Sequence, residues 1–302
     1  MNLKHAIIAA AATTLTIGAF AGEGSGAIHP ITNPVYADTA IPESKVTIIA
    51  AHHRLPNRIS TTAGKVALDG DVNVFAVQVE YAFNDSLSLT AIKDGYVDFN
   101  PDATLSDEEG FNDIALGLKW AFYQEGDFTV ALRGTVELAT GDDDVFNGNG
   151  DGNGSPALLV TRMSDDSQCN LTLGAVVPFD GDEESTMSYV SYGHTRKLTD
   201  KLSVLGELNW LRVLDEGDGS ANFGASQLGS AVPTIVQFEG PDLFNLGSAN
   251  GDDNPDSVTA ALGVRYQLTD AINAGIAYEI PLTDEEDGLF DDRFTLSITV
   301  AY

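Results

Sequence analysis

Residues 293–302 read RFTLSITVAY. Phe294, Leu296, Ile298, Val300 and Tyr302 fall on one face of this segment, and Thr295, Ser297, Thr299 and Ala301 on the other. A side-chain period of two marks a β-strand. One face is apolar and the other small and polar. In a water-soluble sandwich the apolar face would point into a core, so the rest of the chain must say where it points here.

The alternation recurs upstream. Phe75, Val77, Val79, Tyr81 and Phe83 alternate with Val74, Ala76, Gln78, Glu80 and Ala82. The same pattern holds for Ile114 to Phe122, Phe128 to Leu138, Val258 to Leu268 and Ile272 to Ile280, with each charged residue on the less apolar face. A strand that crosses a bilayer needs about 9–11 residues with lipid-facing and lumen-facing positions alternating. The aromatic last residue, preceded by apolar residues at every second position, resembles the terminal assembly signal of bacterial outer-membrane barrels. Residues 1–21, MNLKHAIIAAAATTLTIGAFA, have a short basic start, an apolar run and a small-x-small end, which is the form of a secretory signal peptide. Residues 22–43 hold Gly, Pro, Ser and Thr without periodicity and read as a periplasmic arm.

Short turns are expected at Asn84-Asp85, Gln124 to Gly126, Ser164 to Gln168, Thr199-Asp200 and Thr269-Asp270. Long acidic loops are expected near 55–70, 100–110, 139–155, 179–185, 214–256 and 283–291. Short and long connections alternate strictly. Eleven connections make twelve strands, an even number with both termini on the short-turn side, as bacterial barrels require. The expected fold is therefore an all-β transmembrane antiparallel barrel over residues 44–302, with long acidic extracellular loops. Strand limits are roughly 44–54, 71–83, 86–98, 111–123, 127–138, 156–163, 169–178, 186–197, 202–213, 257–268, 271–282 and 293–302. Ser230 to Phe238 reads as a further strand-like stretch inside the longest loop. Tyr81, Phe83, Trp120, Phe122, Tyr266 and Tyr302 would form an aromatic girdle at the periplasmic interface, and Phe75, Trp210 and Tyr278 one at the outer interface.

Two segments carry a family resemblance: Phe111 to Asp144 and Asp256 to Tyr302. They resemble the outer-membrane transporter family associated with meta-pathway phenol degradation. The matching positions are Gly110 and Asp113, the strand end Thr140-Gly141, and the hairpin Tyr266-Gln267-Leu268-Thr269-Asp270. The resemblance implies an outer-membrane channel or transporter for small solutes, such as aromatic or other small organic compounds. It implies no particular binding residue.

Charge excludes one class of partner. The chain carries 45 acidic against 15 basic residues, a net charge of −30, so nucleic acid has no basic surface to meet. Outer-membrane lipid, a small-molecule solute and the barrel assembly machinery are the expected partners. A nucleophile is hard to find. Ser191 and His194 are close in sequence, but an odd offset within a strand sends them to opposite faces. His52 and His53 diverge likewise, and the chain is not expected to be an enzyme. By parity Gln78, Glu80, Lys119, Arg133, Glu137, Glu207, Asn209, Arg265, Gln267, Asn273 and Glu279 point into the lumen. They would line a polar pathway or fill a narrow barrel as a salt-bridged ladder. Asp142, Asp143, Asp144 and Asp151, set among glycines, offer the oxygen donors that suit calcium, although the spaced Glu of an EF-hand is missing. The competing reading of the whole is a structural or adhesive barrel whose acidic loops bind cations.

Overall fold

The computed structural model describes residues 25–148, 150–217, 219, 224–229, 231–237, 242–244, 255–287 and 290–302. The signal-peptide reading of residues 1–21 lies outside them. The described residues form a closed antiparallel barrel of twelve strands. They are β1 (Lys45–Arg54), β2 (Gly70–Asn84), β3 in two pieces (Leu87–Ala91 and Gly95–Pro101), β4 in two pieces (Glu108–Phe111 and Ile114–Glu125), β5 (Phe128–Leu138) and β6 (Asn153–Met163). The second half comprises β7 (Ser167–Pro178), β8 (Thr186–Lys197), β9 (Leu202–Asp215), β10 (Asp256–Gln267), β11 (Ile272–Pro281) and β12 (Asp292–Ala301). Each strand pairs with its neighbour in sequence, and β1 closes the sheet by pairing with both β12 and β2. Closure satisfies every strand edge, which is what hydrocarbon demands of a spanning sheet.

The exterior is apolar. Leu118, Trp120, Leu132, Leu208, Ile276 and Leu296 all lie exposed on the outer face, and Leu262 is 77% exposed. Tyr81 and Phe83 meet edge to face at 5.3 Å near the short-turn end, and Trp120 sits 5.7 Å from Phe122. This is the lipid-facing belt with its aromatic rim. The barrel is an outer-membrane barrel.

Three expectations need correction. The strands 86–98 and 111–123 are not continuous: β3 breaks at Ile92–Asp94 and β4 at Asn112–Asp113. Polar residues interrupt the alternation at both places, and the breaks turn Lys93 and Asp113 inward, where both are buried. The stretch around 230–238 is not a strand. Its described part forms a short helix, α1 (Ala231–Ile235), and Ser230 and Phe238 lie outside the described residues. A proline at position 233 suits the first turn of a helix and would remove a ladder bond from a strand.

The third correction is the largest. Residues 22–43 are expected to form a periplasmic arm, but their described part, 25–43, does not lie outside the barrel. It runs inside the barrel, where Ile31, Thr32, Val35, Thr39 and Ala40 are buried against its wall.

Candidate functional site: the lumen and its internal segment

The period-two pattern sends one residue in two inward, and the barrel makes those side chains converge. Gln78, Glu80, Lys119, Arg133, Glu137, Glu207, Asn209, Arg265, Gln267, Asn273 and Glu279 all face the interior, and most are buried. They do not line an open conduit, because most of them hold residues 25–43.

The periplasmic half is a network of charges. The Lys119 ammonium donates to Glu80 Oε1 at 2.9 Å, to Asp38 Oδ2 at 2.8 Å and to the Thr39 carbonyl at 3.0 Å. Lys45 reaches Glu80 Oε2 at 2.8 Å. It also donates to His29 Nδ1 at 3.1 Å, which leaves His29 Nε2–H to donate to Glu43 at 2.8 Å. Arg133 donates to the Val35 and Tyr36 carbonyls, both at 3.1 Å. Across the lumen the Glu207 carboxylate accepts the amides of Ile31 and Thr32, each at 2.8 Å. Arg265 donates to the carbonyls of His29 at 2.7 Å and Pro30 at 2.9 Å. Gln168 pairs twice with Ile28, and Gln78 donates to the Pro34 carbonyl at 2.7 Å. An irregular segment has no ladder partners of its own. The wall therefore supplies them, and each buried charge finds an opposite charge or a backbone dipole.

The outer half is different. Phe99, Phe146 and Phe244 pack with ring centroids 5.3 to 6.0 Å apart. Tyr36 of the internal segment lies 4.4 Å from Tyr189. Val72, Val74, Val97, Met187, Leu211 and Val213 join the same buried cluster. One ion triad sits beside it: Arg293 donates to Glu279 at 2.5 and 2.8 Å and to Asp242 at 2.5 Å. Asp242 also accepts the Val35 amide at 3.3 Å and so joins the longest loop to the internal segment.

The motif positions turn out to hold a loop. Asp113 Oδ1 accepts the amides of Thr140 and Gly141 at 2.8 Å and of Gly148 at 2.9 Å. Gly148 has φ +68°, a conformation that glycine adopts without strain. Asp142 Oδ2 accepts the Phe111 amide at 2.8 Å, next to Gly110, where a Cβ would collide with Asp142. The hairpin after Gln267 closes through Leu268 N to the Ile272 carbonyl at 2.9 Å.

The four aspartates considered for calcium do not gather. Asp142 is spent on the Phe111 amide, and Asp144 accepts from the Ser226 hydroxyl. Among the described residues no three acidic, His or Cys side chains form a metal-binding group. Ser191 lies inside, bonded to Asn33 at 2.7 Å, whereas His194 lies outside, 3.1 Å from the Cys169 thiol. Parity reasoning missed Lys45, Lys93, Asp38, Asp242 and Arg293. The last was visible in the sequence, since it shares a face with Thr295. Lys93 was hidden by a strand break, and Asp38 and Asp242 lie outside any strand.

Residues 56–268 match the family model described as "Putative MetA-pathway of phenol degradation". No curated protein matches the chain. Among solved structures, it is similar to the COG4313 outer membrane channel from Pseudomonas putida F1, with a TM-score of 0.59 and 13% identity over 91% of this chain and 100% of that one. The KdgM porin in complex with disordered oligogalacturonate gives a TM-score of 0.47 at 10% identity, over 84% and 99% of the two chains. The CymD monoaromatic hydrocarbon channel gives 0.44 at 7% identity, over 91% and 97%.

Proposed function

Because this chain belongs to the family described as the putative MetA pathway of phenol degradation, we propose that it is an outer-membrane channel for small organic solutes, held closed by its own residues 25–43. The observation that carries this reading is how the internal segment is held. It is fixed by hydrogen bonds and ion pairs from scattered wall positions, not by a continuous ladder or a disulfide. Such contacts can be exchanged for water one at a time as the segment shifts. The aromatic outer half suits small apolar or aromatic compounds at the entrance, in keeping with the family description.

Planar bilayers test the reading. The segment can be tethered by Ala40→Cys with Thr161→Cys in a Cys169→Ser background, since the Ala40 amide lies 2.8 Å from the Thr161 hydroxyl. Discrete conductance steps are expected when the pair is reduced, and their suppression when it is oxidised. Silence in both states would favour the structural or adhesive barrel instead.

A further inference from the structure

Three buried polar side chains on one wall of the lumen have no hydrogen-bond partner: His53 through both ring nitrogens, and Thr295 and Ser297 through their hydroxyls. They are 1%, 1% and 2% exposed. The β1–β12 register sets His53 opposite Arg293, Ala51 opposite Thr295 and Ile49 opposite Ser297. The three therefore form a column down the seam where the barrel closes, with Thr295 and Ser297 about 6.6 Å apart along β12. At its foot Thr47 and Thr299 bond to each other at 3.1 Å. Small residues floor the adjacent strand: Ala277 pairs with Thr295 and Gly275 with Ser297. A buried polar group without a partner costs free energy, so three in one column call for an occupant.

The internal segment bonds to this seam at its foot, where Lys45 of β1 meets His29 and Asp38, below the column. Its side-chain hydrogen bonds come from positions such as Gln78, Lys119, Arg133, Thr161, Glu207 and Arg265. Among the described residues none comes from a side chain of β11 or β12. The contact there is apolar, through Ile31 packed with Ala277 and against Gly275. The nearby charges are already used, because Arg293 is taken by Glu279 and Asp242.

We propose that solute passes the internal segment along the β1–β12 seam, and that His53, Thr295 and Ser297 recognise a neutral, hydroxyl-bearing small molecule. This rests on the channel reading and adds the solute class to it. A hydroxyl both donates and accepts, as do the Thr and Ser hydroxyls and a neutral imidazole. Among the described residues an anion would find no free cation here, and a cation no free carboxylate. A plain hydrocarbon would leave all three groups unpaired, which a site built to hydrogen-bond discriminates against.

Liposome swelling driven by L-arabinose, a neutral hydroxylated probe, tests this beside KCl conductance. The near-isosteric double variant Thr295→Val with Ser297→Ala, and Ser297→Ala alone, remove the hydroxyls and keep the shape. Arabinose swelling is expected to fall about fivefold or more in the double variant and by less in the single one, with conductance within about twofold of wild type. Unchanged arabinose rates in the double variant overturn the proposal. So does an equal loss of swelling and conductance, which would mean a deformed barrel. A wild-type protein that passes neither arabinose nor ions sinks the channel reading itself, a result distinct from the first two.

Discussion

The two halves of the lumen solve one problem in opposite ways. Both must fill the inside of a barrel. The periplasmic half does so with charge, through Lys45, Glu80, Lys119 and Asp38 around an irregular segment. The outer half does so with rings, Phe99, Phe146 and Phe244, beneath loops that fold inward. Charge pairing is directional and can be re-formed with water, so it suits a part that must be released. The burial of rings scales with the apolar area removed from water, so it suits a cover. The halves meet where Asp242 touches both Arg293 and the Val35 amide.

The strongest way to break this contrast is Glu80→Leu. It leaves Lys45 and Lys119 with Asp38 alone as a shared carboxylate, and Lys119 is fully buried. Removing one partner of a buried ion pair costs about 3–5 kcal/mol. Urea unfolding in lipid should show that loss. A change under about 1 kcal/mol would mean that the clamp is not what holds the segment.

Next comes the wall itself. Leu262→Arg places a charge on the lipid face at a cost of about 2–4 kcal/mol, read as reduced insertion and lost heat-modifiability. Normal insertion would show that this surface does not face hydrocarbon. At the inward neighbour Gly263 a Cβ would come within 2.7 Å of the Ile276 carbonyl and 3.0 Å of Ala277. An arginine at that position would deform the sheet and is no test of the lumen.

Phe244→Leu thins the outer cover and should cost about 1 kcal/mol, without detaching the internal segment. Combined with Glu80→Leu, the two effects should add within about 0.5 kcal/mol if the halves are independent. A larger coupling would sharpen the contrast into a linkage that runs through Asp242.

The smallest effect belongs to the outer loops. The Asp291 carboxyl beside Glu285 raises the Glu285 pKa through a shared hydrogen bond. A carboxyl whose folded pKa is raised stabilises the fold while protonated and loses that contribution as pH rises through the folded pKa. Wild-type thermal stability should therefore carry a slight acid-side bonus that Glu285→Gln flattens. An identical pH profile in the variant would remove this pair from the account.

Much of the fold was legible because a barrel strand is a local pattern. Leu118 and Lys119 point apart whatever surrounds them, so inward and outward sets follow from parity. Thr186 to Lys197 was bounded correctly from alternation and turn residues alone. The breaks at Ile92–Asp94 and Asn112–Asp113 were not legible. What makes them tolerable is the Lys93–Glu137 contact at 2.6 Å, between residues 44 apart in sequence. Asp113 shows the same limit, since its motif was readable and its three amide partners were not.

The sequence by itself determined a twelve-stranded outer-membrane barrel and many of the strand residues that face inward, because side-chain direction in a strand depends only on the count. Only the tertiary structure decided what fills the barrel. Residues 25–43 carry no period, and their anchors, from Gln78 to Arg265, lie on strands scattered across the chain and become one site only when the sheet closes. Backbone groups with no ladder of their own must find partners wherever burial takes them, and that destination is a property of the closed wall.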